Sequence, residues 1–291
     1  MTTRSVSPLR WAMLGTTMTA IGSATGAVAD QPRFADDSQF IKVAAATENG
    51  EAGESGEETK ASEAGEAGES GEAGESGESG ASADSAEDFL AELGEIRGHL
   101  LAGYTLFKDG NREQAYTHMK HPGDEIYTDL EHELEEYGAA GFAHELEELA
   151  EGVEHGADAA EVDAAFAAVM AAIDAAAAKV EDNGRAKLRA VAKLTAEAAE
   201  EYAEGVVDGK LVELHEYQDA WGFVQVATAY ASELVNAPDA AVAKAAKAAV
   251  EQLEGVAGLF KGLNPSADIG TDPADLYVAA AQIEFATVSL K

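Results

Sequence analysis

From position 85 onward the apolar residues recur every three or four positions. Phe89, Leu93, Ile96, Leu100, Tyr104 and Phe107 make the first such stripe, the spacing that places side chains on one face of an α-helix. Ser85 and Asp88 read as a capping box at its start, and Asp109-Gly110-Asn111 as its end. A short second helix carries Ala115, Tyr116 and Met119 and is predicted to stop at Pro122-Gly123. A third, from about 124, turns Ile126, Tyr127, Leu130, Leu134 and Tyr137 inward and ends at Gly138. A fourth covers 142 to about 153, and a fifth, Ala-rich, 158–181. Beyond Asn183-Gly184 the period resumes over 188–206, 213–236 and 238–263. Asn264-Pro265 to Thr271 reads as a loop, and Asp272-Pro273 opens a last helix with Tyr277, Ala280, Ile283 and Phe285. No stretch sustains a two-residue alternation of β-branched residues. The predicted fold is all-α, an antiparallel bundle of about eight helices in two halves, 85–182 and 183–291.

The periodicity is missing before position 85. Residues 48–84 repeat EAGESG at 51–56, 66–71 and 72–77, with Glu at roughly every third position and no aromatic residue. Such a segment buries too little apolar surface to offset the entropy of ordering it. Residues 30–84 are therefore expected to be a disordered Glu/Gly/Ser/Ala-rich linker. Residues 1–29 have another layout. Arg4 and Arg10 precede an uncharged run of 15 residues, followed by Ala27-Val28-Ala29. That is the three-part layout of a secretory signal peptide, and the run is short of the roughly 20 apolar residues that span a bilayer. The expectation is a periplasmic or secreted protein with no membrane insertion after signal cleavage.

Charge narrows the partners. The chain has a formal net charge of −36, and loss of Arg4 and Arg10 with the signal peptide makes it more acidic still. Such a field repels nucleic acid and anionic lipid and attracts cations. The absence of cysteine excludes disulfides, thiolate metal sites and covalent haem attachment. No Gly-x-Ser-x-Gly or P-loop pattern occurs in the helical region, and no enzymatic activity is expected.

The chemistry that is left lies in histidines and carboxylates. His99, His118, His121, His132 and His144 crowd into one stretch, with His155 and His215 following. The first hairpin turns at Gly110. His99 lies 11 residues before that glycine and His121 lies 11 after it, so antiparallel packing brings both to one level, with helix phase left open. Asp124 and Glu125 follow Pro122, where acids suit a helix N-terminus, and Glu131 and Glu135 stand one and two turns further on. A second set is His215, Glu216, Tyr217 and Asp219, with His215 and Asp219 four apart on one face. Imidazole with carboxylate suits iron or another divalent transition metal such as Zn, Mn or Cu(II). The competing reading makes the histidines surface or hairpin-packing residues, Asp124 and Glu125 a cap, and Tyr217 with Trp221 core. His144-Glu145 lacks the second histidine of an HExxH motif.

Several runs resemble a known family. These are Gly103-Tyr104-Thr-Leu-Phe107-Lys-Asp-Gly110-Asn-Arg-Glu-Gln-Ala115-Tyr and Asp124-Glu125-Ile-Tyr127-x-x-Leu130-Glu131-x-Glu133-Leu134. With Tyr202-x-x-Gly205-Val-Val-Asp208-Gly-Lys, Glu216-Tyr217-x-x-Ala220-x-x-Phe223 and the closing Leu276-Tyr277, they are similar to the periplasmic helical domain that precedes the membrane part of bacterial high-affinity iron permeases. The resemblance spans about 90–290 and implies a periplasmic helical module of iron uptake that presents metal to an envelope permease or another periplasmic protein. The permease's Arg-Glu-x-x-Glu helices are absent, as is the Cys-x-x-Cys-His haem motif of some relatives. The expected function is that of a periplasmic metal-binding or metal-handling accessory protein linked to iron uptake. The alternative is a helical scaffold of the cell envelope that binds no metal.

Overall fold

The computed structural model describes residues 86–181, 183–288 and 290. The expected signal peptide, linker and Ser85 cap lie outside the described residues. Among those residues the chain forms nine α-helices: α1 (Ala86–Lys108), α2 (Arg112–His121), α3 (Tyr127–Glu136), α4 (Ala143–Glu154), α5 (Ala159–Ala177), α6 (Asn183–Gly205), α7 (Leu214–Glu233), α8 (Ala240–Val256) and α9 (Ala274–Val288). The all-α bundle expected from the apolar period is the fold observed. A two-residue antiparallel ladder, β1 (Val206–Val207) with β2 (Lys210–Leu211), joins α6 to α7. Asp208 and Gly209 both have positive φ there, the backbone that lets a two-residue turn follow strand twist.

The ends of α1 follow from its residues. Glu87 and Asp88 lie in the first turn and Lys108 in the last, which matches the helix dipole at both ends. At the C-terminus Gly110 takes φ +85, the Asn111 N–H donates to the Leu106 carbonyl and the Gly110 N–H to that of Phe107. This paired return is the Schellman stop, and it favours glycine because a Cβ is strained there.

The stop expected at Pro122-Gly123 does not occur. Pro122–Ile126 is a π-helical turn that carries α2 into α3. Proline removes a donor but leaves its carbonyl free, and the Tyr127 N–H reaches back to the Pro122 carbonyl. The path widens instead of breaking. Helices α5 and α8 end earlier than expected, at Ala177 and Val256, and α6 begins earlier, at Asn183.

Two main apolar cores hold the fold. One joins Phe89, Leu93, Ile96 and Leu100 of α1 to Leu130 of α3, Leu149 of α4 and Ile173 of α5. The other joins Leu194, Tyr202, Phe223, Leu253, Leu276 and Ile283 across α6–α9. Each such side chain contributes about 1.5–3 kcal/mol on burial. Helix α1 belongs to both neighbourhoods, since it packs on α2 and α5 and also on α6 and α7.

The contact of α1 with α7 is a backbone contact. A Cβ at Gly222 would stand 2.3 Å from the Gly98 carbonyl oxygen, and one at Gly98 would stand 2.5 Å from the Phe223 ring. Two glycines facing one another let the helix axes close beyond what any side chain allows. The residues beside them, His99 on α1 and Asp219 one turn before Gly222, are thereby brought within bonding distance.

Candidate metal centre

Three helices aim polar side chains at that crossing. Helix α1 supplies His99, α2 supplies His118 and His121, and α7 supplies His215, Glu216, Gln218 and Asp219. Positions 215, 218 and 219 share a face because they are three and four apart. Helix α2 reaches in over Gly103, where a Cβ would stand 3.0 Å from the Ala115 carbonyl and 3.2 Å from the His118 Cβ.

Asp219 is the hub. Its Oδ1 is 2.6 Å from His99 Nδ1 and 2.9 Å from His118 Nδ1. Its Oδ2 is 3.1 Å from His215 Nδ1. The side chains of His99, His118 and Asp219 are 5%, 0% and 1% exposed. His118 and His215 stack with centroids 4.2 Å apart, and the His121 ring lies 4.7 Å from His99 and 5.6 Å from His215. Three of the chain's seven histidines thus meet one buried carboxylate, and His121 stands beside two of them.

Gln218 fixes the proton of His118. Its Nε2 donates to the Leu263 carbonyl over 2.8 Å, and that carbonyl can only accept. Gln218 Oε1 is therefore the atom turned toward His118 Nε2, at 2.8 Å, and it accepts a hydrogen bond from the N–H of that nitrogen. A ring protonated only there turns its Nδ1 lone pair to Asp219 Oδ1. Two acceptors at 2.9 Å in a dry site repel unless a cation, a proton or a metal ion, stands between them. A ligating histidine is held in the same way, with its other nitrogen donating to a carbonyl oxygen.

Burial and pairing oppose one another in this cluster. Burial lowers the basicity of His99, and Asp219 opposes that only in part. Burial does the same to His215. Burial would also raise the Asp219 carboxyl, but His99 and His118 override it and hold the group below the usual carboxylate range. Neutral nitrogen with anionic oxygen is the donor set that binds a divalent transition cation.

Beside this group lies a second. His215 Nδ1 is 3.7 Å from Glu216 Oε2, and ligand atoms of His215, Glu216 and Asp219 fall within 4.8 Å of one another. Glu201, Glu204 and Glu216 make a further set at the same spacing. Glu201 is pushed up to about 9, first by burial and then by its hydrogen bond with Glu216, so it holds a proton at neutral pH.

The structure thus unites residues that the sequence placed in two separate sets: His99, His118 and His121 with His215, Glu216 and Asp219. It sets the others apart. Asp124 pairs with Lys120 at 3.2 Å on the surface. Glu125 reaches only the outer nitrogen of His121, at 3.5 Å, and is itself exposed. Glu131 and Glu135 lie on the exposed side of α3. Tyr217 is buried, its hydroxyl donating to the Gly262 carbonyl and accepting the Lys261 N–H. That is a loop-anchoring role, which leaves no free oxygen directed at the cluster. Gln218, Glu201 and Glu204 were not selected from the sequence. Glu197, Glu201 and Glu204 recur at helical spacing on a helix otherwise rich in alanine, a signal that could have marked them.

Residues 177–289 match the family model of the iron permease-associated 4-helix bundle domain. The span contains α6–α9, four helices, and includes His215, Glu216 and Asp219. The first resembling run, 103–134, and the histidines of α1 and α2 lie outside it. No curated protein and no solved structure matches the chain.

Proposed function

We propose that this protein is a metal-binding accessory protein of iron uptake, with a divalent transition cation, iron in its working state, as cargo. The match over 177–289 ties the second half of the chain to iron-permease proteins. The cation is held by His99 and His118 from the helices before the matched domain and by Asp219 within it. Among the described residues no helix is long and apolar enough to cross a membrane. A separate permease is the partner that fits, and the N-terminal pattern of residues 1–29 fits periplasmic work. No catalytic role is assigned.

One observation carries this reading: buried His118 has its Nε2 against the Gln218 Oε1 acceptor and turns its Nδ1 to a carboxylate oxygen of Asp219. The test is a calorimetric titration of the full chain with Zn(II), and with Fe(II) under anaerobic conditions. Saturable micromolar binding is expected, weakened by more than about 100-fold in His118→Ala, while circular dichroism keeps its helical signature. His144→Ala, on the exposed side of α4, binds as the wild type does. A wild-type chain without saturable binding, or binding that survives His118→Ala, sinks the proposal. In that case the cluster is an internal ion network of a scaffold protein.

A further inference from the structure

We infer that Asp219 bridges two cations, an inner one with His99 and His118 and an outer one with His215 and Glu216. The inference rests on the metal-binding reading above and adds the number of ions, the bridge and the route to it.

The geometry divides the work of one carboxylate. Oδ1 of Asp219 serves both His99 and His118, and Oδ2 is left for His215 at 3.1 Å. A carboxylate whose two oxygens face separate nitrogen donors is the usual bridge of a paired site, in which the ions sit about 3.5–4 Å apart. The second position has its own donors: His215 Nδ1, Glu216 Oε2 and Asp219 Oδ2. The remaining ring nitrogen of His215, Nε2, is buried and has no hydrogen-bond partner among the described residues. A buried polar atom without a partner is costly, and here it belongs to a ring already turned toward two carboxylates.

Exposure orders the two positions. The inner donors are 5% exposed or less, whereas His215 is 28% and Glu216 33% exposed. Glu216 also belongs to the set with Glu201 and with Glu204, which is exposed. Shared members thus connect surface to interior: Glu204 and Glu201 to Glu216, Glu216 to Asp219, and Asp219 to the buried histidines. A cation passing this way exchanges one carboxylate at a time and is never stripped of all its ligands. The outer position is the exchangeable one.

The experiment loads the full chain with Cu(II) in the presence of a competing chelator that masks weak binding by the Glu-rich segment at 48–84. Bound metal is counted, and frozen-solution electron paramagnetic resonance is recorded. Two equivalents and the half-field transition of a coupled pair are expected. The Glu201→Gln/Glu216→Gln variant should fall to one equivalent and lose the half-field signal, with its helical signature intact. A wild-type chain that binds one equivalent overturns the bridge and leaves the proposed function standing. Two uncoupled equivalents also overturn it, as does a coupled pair that persists in the variant. No saturable binding at all removes the proposed function together with this inference.

Discussion

Two regions of this protein use the same residue types to opposite ends. At the crossing of α1, α2 and α7, His99, His118 and His215 meet Asp219, and the innermost groups are almost wholly buried. Along α3 and α4, His132, His144, Glu131, Glu135 and Glu147 stand on exposed faces. The His132–Glu136 pair, 3.5 Å apart with the histidine 74% exposed, is a surface ion pair that contributes little. Counting acids and histidines would rank the second region as high as the first. The difference is desolvation, since a carboxylate and an imidazole removed from water must satisfy each other or a shared cation.

The strongest way to break the comparison is to reopen the helix crossing. Gly222→Ala puts a Cβ against the Gly98 carbonyl, which is backbone and cannot swing aside. A cost of about 3 kcal/mol is expected, read as a fall in Tm, together with loss of metal binding as α1 and α7 separate. Unchanged Tm and binding would show that the crossing does not build the site.

A second variant sharpens it. Gln218→Leu keeps volume but frees His118 Nε2 of its acceptor, and metal affinity should fall about 10–100-fold. The double variant Glu131→Gln/Glu135→Gln removes two charges from the exposed region and should leave the affinity of the buried site within a factor of about two. Calorimetry at moderate salt reads both. Equal losses in the two proteins would mean that overall charge, and not the site, binds the metal.

The smallest effect tests burial alone. Glu95 lies one helical turn before His99, and its carboxyl is pushed up to about 7, by burial first and then by Glu197 and Glu92, with Lys193 opposing. In the unfolded chain it ionises near 4.5. The folded state therefore binds the extra proton, and this group's contribution to stability falls as pH rises from about 4.5 to about 7. Glu95→Gln should raise stability at pH 8 by about 1–2 kcal/mol, or a few degrees in Tm, and change little at pH 4.5. Exposed Glu131→Gln should show no such pH dependence in thermal melts.

Most of the secondary structure was legible because each helix is amphipathic over several turns. A stripe such as Phe89, Leu93, Ile96 and Leu100 needs no partner to be recognised. Boundaries were less so. Pro122-Gly123 reads locally as a stop, and only the continued packing of α2 and α3 on α1 makes a widened turn the better solution. The site was half legible. His99 and His121 were placed at one level by counting from Gly110, and His215 and Asp219 by their four-residue spacing. That these two pairs belong to one cluster was not legible, because His215 lies 94 positions after His121 and nothing local relates them.

The sequence by itself determined the helices, the acidity, the absence of thiol chemistry and the donor types, because these follow from local period and residue chemistry. Only the tertiary structure decided which donors are dry and face one another. That depends on the packing of α1 against α7 through Gly98 and Gly222, a contact between segments far apart in the chain. The same packing turned Tyr217 away to anchor a loop, left Glu131 and Glu135 in water, and set the proton on His118 through Gln218.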